Sequence, residues 1–156
     1  MKWMSIDPGL KGGIVVWDDD APKICLPMPV NGKDIDVKEI EFIVDEYNIE
    51  EAVIEKVGGL PGQSSAAGFT FGVGWGMIVG GLMMLGVKVN TLSPVAWQNQ
   101  FHAGLARNIE PKDRSRMAAG RLFPNFVQEL KKKGCRVIHD GMADALGIGY
   151  AWWGKK

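Results

Sequence analysis

Soft metal ligands are scarce in this chain of 156 residues, which contains two cysteines and two histidines. Cys25 and Cys135 lie far apart, and neither belongs to a Cys-x-x-Cys or Cys/His arrangement. This scarcity excludes a disulfide framework and a structural zinc site, and it predicts a reduced, cytoplasmic protein. Because Met1-Lys2-Trp3 leads directly into an apolar strand pattern, we also expect no signal peptide.

Net charge is absent too, because 18 basic and 18 acidic residues cancel. Their distribution is uneven. From Asp18 to Glu55 twelve acidic residues stand against three lysines, a balance of −9, and from Arg107 to Arg136 nine basic residues stand against three acidic ones, a balance of +6. Such asymmetry predicts an acidic, solvated side and a face that binds a polyanion; two solvated helix faces are the alternative.

Charged residues are missing altogether from residues 64–87, where glycine recurs every fourth residue at 68, 72, 76 and 80. On a helix this spacing forms a flat stripe that another backbone can approach closely. The uncharged length is just enough for a transmembrane span. Seven glycines from 68 to 86 and the lack of flanking basic clusters argue against one. We therefore expect no membrane partner and a buried helix that packs on a sheet.

The remaining pattern predicts a single α/β domain over residues 1–156. A hairpin over 3–17 and a third short strand over 23–26 form an antiparallel meander. Strands over 51–57 and 86–90 alternate with helical segments, as parallel strands do. Between them, residues 58–62 predict a mobile loop. The other helices are expected over 37–47, from 94 after a Ser93 cap, from 111 to before 123, and over 139–152.

Four carboxylates stand at the ends of these elements. Asp7 follows the first strand and Glu55 closes the fourth, while Asp140 and Asp144 lie four residues apart on one face of the last helix. The alternatives are structural: Asp7 ordering the turn at Pro8-Gly9, and Asp140 capping its helix. Asp144 is harder to explain in that way, because an unpaired carboxylate between two alanines is unfavourable.

A convergence of these acids requires a cation, since two carboxylates about 4 Å apart repel by roughly 4 kcal/mol at an effective dielectric of 20. With no thiolate or paired imidazole nearby, the ion is a hard one such as Mg²⁺, with Mn²⁺ able to substitute. Paired ions of this kind serve phosphoryl transfer by activating water and stabilising the leaving oxygen.

Three segments resemble the RuvC-type Holliday-junction resolvases, and the phage and poxvirus branch most of all. They are Ile6-Asp7-Pro8-Gly9, Val53-Ile54-Glu55 and the stretch from Asp140 to Leu146, in that order across nearly the whole chain. The resemblance implies a ribonuclease-H-like fold, with a five-stranded mixed sheet and helices on both faces. It also implies a homodimer that cuts branched DNA with Mg²⁺, in the host cytoplasm if the source is viral, and that uses no small-molecule cofactor.

The same resemblance implies catalytic and metal-binding roles for Asp7, Glu55 and Asp144, with Asp140 as the fourth acid. Bacterial members place that fourth residue three positions before the last aspartate, where this chain has Gly141. Asp140 reaches the same face, and His139 is the reserve candidate.

DNA contacts are also implied by the resemblance. Basic residues on the helix before the last one contact phosphates in the family, and Lys112, Arg114, Arg116 and Arg121 occupy that helix here. An aromatic side chain near the start of the long helix opens the junction in bacterial members. Phe69 and Phe71 are the equivalents here, although we expect both to lie in the core.

Three other functions remain open at this point. A nuclease acting on flaps or on branched DNA in general is consistent with the same acids. The turn Asp7-Pro8-Gly9-Leu10-Lys11-Gly12-Gly13 also resembles the phosphate-binding turn of actin-like and sugar-kinase ATPases, which need two such domains. A membrane or assembly protein built around the Gly-xxx-Gly helix is the third.

Overall fold

The computed structural model describes residues 1–56, 58, 62 and 64–155, so part of the predicted loop at 58–62 and the end of the predicted strand at Val57 lie outside the described residues. Its main strands are β1 (Lys2–Asp7), β2 (Gly13–Asp18), β3 (Ala21–Pro27), β4 (Val30–Asn31), β5 (Asp34–Ile35), β6 (Glu51–Glu55) and β7 (Lys88–Leu92). Its helices are α1 (Val37–Tyr47), α2 (Ser65–Met84), α3 (Pro94–Phe101), α4 (Pro111–Leu122) and α5 (Asp140–Trp153), with a 3-10 helix at Pro124–Leu130.

Five strands form one mixed sheet in the order β3-β2-β1-β6-β7. β1, β2 and β3 pair antiparallel, whereas β6 runs parallel to both β1 and β7. The predicted meander with two parallel strands is therefore confirmed. β4 and β5 form a separate small hairpin that the sequence did not predict, because strands of two residues are too short for a hydrophobic period to be visible.

Side chains along each strand point alternately to the two faces of the sheet, so one hydrophobic core lies on each face. Trp3, Ser5 and Val53 point to the face covered by α3, α4 and α5, while Met4 and Ile54 point to the face covered by α1 and α2. The predicted placement of helices on both faces is thus confirmed. Carboxylates at the ends of β1 and β6 fall on the α5 face, two residues beyond Ser5 and Val53.

Local capping signals fixed the helix starts. Asp36 Oδ1 accepts from the backbone N–H of Glu39 at 3.2 Å, and Ser93 Oγ accepts from Ala96 at 3.3 Å. Each bond satisfies one of the free N–H groups of a first helical turn. These helices therefore begin where the sequence placed them.

The long helix α2 departs from the prediction. Only Ile78 and Leu82 are buried along α2. The helix therefore packs through one narrow face and is not the buried helix that we expected. A methyl group built at Gly72, Gly76 or Gly80 meets nothing within 4 Å, so the glycine stripe faces outward. Among the described helices, α2 alone has the length and composition of a membrane span.

Candidate active site

Sheet register places Asp7 and Glu55 side by side. Ile6 pairs with Ile54 between the parallel strands β1 and β6, so the next residue of each strand is Asp7 and Glu55. Neighbouring strands lie about 4.8 Å apart, and both side chains emerge on the same face. The carboxyl ends of two central strands thus bring together the first two predicted acids.

Glycines at the β1–β2 turn allow α5 to approach that same edge. A side chain at Gly141 would collide with the Lys11 carbonyl oxygen, and one at Gly13 would collide with the backbone of Met142 on α5. Behind them, Ser5 Oγ donates to the Ala145 carbonyl at 2.6 Å and anchors α5 to β1. This close contact also explains why position 141 holds no acid, and it leaves Asp140 and Asp144 as the acids of α5.

The pKa of Asp7 responds to the other predicted acids. Burial, followed by the charges of Asp144 and Glu55, raises the pKa of Asp7 from 3.8 to about 8, against a weak hydrogen bond from the Gly9 N–H at 3.4 Å. Asp140 contributes to this shift as well. All four predicted carboxyl groups are therefore near enough to act on one another electrostatically.

Asp144 is perturbed for the same reasons. Burial, followed by the charges of Glu55 and Asp140, raises the pKa of Asp144 from 3.8 to about 7, against the opposing effects of Ser115 and of the Lys112 charge. Its Oδ1 is buried and has no hydrogen-bond partner within the described residues. A buried carboxyl oxygen without a partner is unfavourable unless a cation or a proton occupies it.

Glu55 is held by a residue that the sequence did not single out. The indole N–H of Trp97, on α3, donates to Glu55 Oε2 at 2.5 Å. Burial raises the pKa of Glu55, and the Trp97 hydrogen bond opposes that change. A buried tryptophan on a short helix gives no sequence signal for this role, because the contact exists only after α3 packs beside β6.

The two residues at the start of α5 play different parts. His139 Nδ1 accepts from the Met142 N–H at 3.2 Å, so His139, and not Asp140, caps the helix. Asp140 forms a 3.1 Å ion pair with Lys112 on α4. Burial raises the pKa of Asp140, but Lys112 outweighs it and holds the pKa below its ordinary value. Because this hydrogen bond occupies Nδ1, only Nε2 of His139 is left as a candidate metal ligand.

These residues fit a divalent cation by the chemistry of their donors. Within residues 1–56, 58, 62 and 64–155, no three Asp, Glu, His or Cys side chains are gathered closely enough to hold an ion as they stand. The raised pKa values of Asp7 and Asp144 nevertheless show that ionising the cluster is unfavourable without a neighbouring positive charge. Oxygen donors in this number are the ligand set of Mg²⁺ and Mn²⁺.

The four basic residues predicted on α4 are not equivalent. Arg116 Nε donates to the Ile138 carbonyl at 2.9 Å and also pairs with Asp113, while Arg121 donates to the Ala103 carbonyl at 2.7 Å. Arg114 has a buried Nε that finds no partner among the described residues. Lys112 is the one that is both exposed and beside the acids, through Asp140. A count of charged residues does not reveal hydrogen bonds from side chains to the backbone. The sequence therefore predicted the same role for all four basic residues.

Phe69 contradicts the expectation of a core position, because 74% of its side chain is exposed at the start of α2. Phe71 is partly buried. Both line a groove of about 800 Å³ whose other walls include Pro8 and Gly9, directly after Asp7, and Lys33 of the small hairpin. An exposed aromatic side chain thus lines a groove that extends to the turn directly after Asp7.

The strand order β3-β2-β1-β6-β7, with helices on both faces of the sheet, is that of the ribonuclease-H-like fold. Searches of protein families and of curated sequences find no match to this chain.

Solved structures do match. RuvC of T. thermophilus in complex with a Holliday junction substrate is similar over 97% of this chain and 91% of its own, with 16% identity and a TM-score of 0.66. The yeast mitochondrial Holliday junction resolvase Ydc2 matches 96% of this chain and 76% of its own, at 12% identity and a TM-score of 0.62. The Fowlpox virus resolvase with its Holliday junction DNA matches 98% and 99%, at 15% identity and a TM-score of 0.55. The fold expected from the resemblance is thereby confirmed.

Proposed function

We propose that the chain is a metal-dependent endonuclease that resolves four-way DNA junctions by paired strand incisions. The observation that carries this proposal is the pairing of Asp7 and Glu55 at the ends of β1 and β6, next to the start of α5, which carries Asp140 and Asp144. The full-length likeness to three resolvases, two of them solved with junction DNA or substrate, supports the choice of DNA as the partner.

In this proposal the four carboxylates hold Mg²⁺, or Mn²⁺ in its place. A divalent ion at such a site supplies an activated water and charge stabilisation of the leaving oxygen. Trp97 holds the Glu55 carboxylate in one orientation, and Lys112 keeps Asp140 ionised and therefore ready to ligate. The unpartnered Oδ1 of Asp144 is a third oxygen available for ligation.

We base the proposed DNA contacts on which side chains are exposed near the acids. Lys112 is 72% exposed and stands next to the acids, so it is suited to contact the phosphate beside the scissile bond. Phe69 is suited to stack on bases at the branch point, as the resemblance implies. We assign Arg116 and Arg121 mainly to holding the backbone around α4, since their guanidinium groups donate to carbonyls.

We further propose that the protein is a homodimer through the outer face of α2, in the cytoplasm. Gly72, Gly76 and Gly80 share this face with exposed Met83, opposite the buried Ile78 and Leu82. An apolar surface of this kind is unusual on a monomer. A two-fold dimer would present two acid clusters to the two equivalent strands of a junction.

A cleavage assay with matched substrates tests the function. We expect Mg²⁺-dependent, symmetrically paired cuts in a four-way junction and little cutting of linear duplex of the same sequence. Preference for flaps or forks would favour the general branched-DNA nuclease. ATP hydrolysis without DNA cleavage would instead support the actin-like reading and contradict our proposal.

Loss of Lys112 should weaken DNA binding in a salt-dependent way. Each phosphate contact contributes about 0.9 to the slope of log affinity against log salt, so Lys112→Ala should flatten the slope by roughly one unit. Binding to a four-way junction is measured in EDTA across a salt series. Lys38→Ala is the matched control, because Lys38 carries the same charge on the exposed side of α1, on the other face of the sheet. Equal slopes for Lys112→Ala and wild type would contradict this placement of the DNA.

A further inference from the structure

A second cavity lies at the opposite end of α5 from the acids. It has a volume of about 350 Å³, and its walls include Trp17, Phe123, Tyr150 and Trp153. Asp140 begins α5 and Trp153 ends it, and a helix of 14 residues is about 21 Å long. This cavity is therefore separate from the proposed metal site, and no step of the proposed function uses it.

The aromatic walls meet the cavity at different angles. Phe123 stands nearly perpendicular to Trp17 and to Tyr150, with interplanar angles of 76° and 88° and centroid distances of 6.0 Å. Tyr150 is 36% exposed, and Phe123 and Trp153 are partly exposed, whereas aromatic rings that only fill a core are buried. Rings set at right angles around a common space form a cage in which a ligand contacts more than one of them.

The charge around this cage is negative. Asp20 lies in its wall and forms no ion pair within the residues that the structure describes. Gly154 brings the C-terminal end of α5 to the cavity, where the last carbonyl groups carry the negative end of the helix dipole. The last turn of α5 contains no basic residue, and no lysine or arginine of the described chain lines the cavity. Aromatic rings, a carboxylate and a helix C-terminus all favour a cation.

The hydrogen-bond acceptors distinguish among cations. A quaternary ammonium group has no N–H to donate, and a lysine ammonium group is a compact, strongly hydrated charge. A guanidinium group is planar, stacks on aromatic rings and carries five N–H donors. It can therefore use the rings, the Asp20 carboxylate and the carbonyl groups of α5 together. A nucleotide is disfavoured, because its phosphate would lie beside Asp20 and its neighbours Asp18 and Asp19.

We propose that this cavity binds the guanidinium group of an arginine side chain from a partner protein. Arginine carries its charge at the end of a long apolar stem, so the stem lies against the aromatic walls while the partner's backbone stays at the mouth. Binding there requires neither a metal ion nor DNA, so its test is independent of the proposed function.

Titration of the nitrogen-15-labelled protein with N-acetyl-arginine amide tests the proposal. We expect saturable shifts of the Gly154 backbone N–H and of the Gln100 side-chain amide, which also lines the cavity. N-acetyl-citrulline amide has the same shape without the charge and should bind at least about tenfold more weakly. Absence of saturable shifts, equal affinity for arginine and citrulline, or tighter binding of tetramethylammonium or of deoxyadenosine monophosphate would overturn the proposal.

Two variants test the contacts separately. Asp20→Asn should weaken binding of N-acetyl-arginine amide about tenfold, because hydrogen bonds to a charged group are the stronger ones. Asp45→Asn, the same change on the exposed side of α1, is the matched control and should bind as wild type does. Tyr150→Leu keeps an apolar wall but removes one ring, so we expect binding to weaken about 2–5-fold. Wild-type affinity in Asp20→Asn would overturn the site.

Free arginine distinguishes a small-molecule ligand from a side chain of a partner protein. Its own carboxylate would lie at the mouth of the cavity, beside the acidic turn at residues 18–20. We therefore expect free arginine to bind no more tightly than N-acetyl-arginine amide, in which peptide-like groups replace both charged ends. Tighter binding of free arginine would show that the cavity takes the amino acid itself, and it would overturn the partner protein as the ligand.

Discussion

Asp7→Asn should abolish junction cleavage while leaving the protein folded. Asp7 lies within electrostatic reach of Glu55 and Asp144, and the amide that replaces it is a neutral and weaker ligand for a hard cation. We expect the cleavage rate with saturating Mg²⁺ to fall by at least roughly a thousandfold, equal to about 4 kcal/mol of activation barrier. Single-turnover cleavage of a labelled four-way junction measures this effect.

The same substitution should stabilise the metal-free protein at alkaline pH. In the unfolded chain Asp7 ionises near pH 4, whereas in the folded protein burial and the neighbouring acids raise its pKa to about 8. Between those values the folded state binds more protons than the unfolded state, so the free energy of unfolding decreases as the pH rises. Asparagine has no proton to lose, and that part of the decrease disappears.

Thermal melts in EDTA at pH 5 and pH 8.5 measure the difference. We expect Asp7→Asn to be more stable than wild type at pH 8.5 by about 1 kcal/mol or more, roughly 2–4 °C in Tm for a chain of this size, with a smaller gap at pH 5. Asp45→Asn makes the same chemical change on the exposed side of α1 and should alter neither cleavage nor the pH dependence. Normal cleavage by Asp7→Asn in Mg²⁺ would show that the proposed site is wrong.

The parts of the fold that could be predicted are those with local causes. Asp36 and Ser93 mark helix starts because a side-chain oxygen must satisfy a free N–H within the next three residues. The position of Asp7 beside Glu55 could also be anticipated, since both acids close apolar strands of one sheet. A single acid at the end of a strand has many structural explanations. The acids at the start of α5 were therefore needed to predict a shared site.

The parts that failed depend on which surfaces meet in three dimensions. Trp97 contacts Glu55 only because α3 packs beside β6, and nothing in their sequence spacing indicates this. Arg116 stays a predicted DNA contact, but its hydrogen bond to the Ile138 carbonyl could not be read from the sequence. Likewise, an uncharged helix with glycine at every fourth residue shows that something approaches it closely, but not whether that neighbour is its own sheet or another chain.

The exposed stripe of α2 leads to the last prediction, that Gly76→Leu should separate the proposed dimer into monomers. Within one chain the new side chain meets no obstacle, because a Cβ at Gly76 has nothing within 4 Å. Loss of stability through contact with the sheet, the outcome expected for a buried stripe, is therefore not expected here. Between two chains the same Leu would hold the packed helices apart, and overpacking of this kind costs about 1–3 kcal/mol. Since every 1.4 kcal/mol is tenfold in affinity, association should weaken by roughly 5–150-fold.

Gly81 supplies the matched control on the opposite face of α2. A Cβ there would lie 2.7 Å from Val37 Cγ1, so Gly81→Ala should lower the melting temperature without changing the association state. Sedimentation velocity in detergent-free buffer measures the association state of all three proteins. We expect a dimeric wild type, a Gly76→Leu variant that is mostly monomeric at low micromolar concentration, and a dimeric but less stable Gly81→Ala variant.

Cleavage then connects association to function. A Gly76→Leu monomer keeps its acid cluster, so it should still bind Mn²⁺ and nick a junction on one strand, but it should lose the simultaneous second cut, which needs a second cluster related by two-fold symmetry. A cruciform plasmid separates these products, because one nick relaxes the circle and paired cuts linearise it. A monomeric wild type that still linearises the plasmid in one binding event would contradict the dimer. Partition of the wild type into vesicles would show that the outer face of α2 is covered by lipid and not by a second copy of the chain.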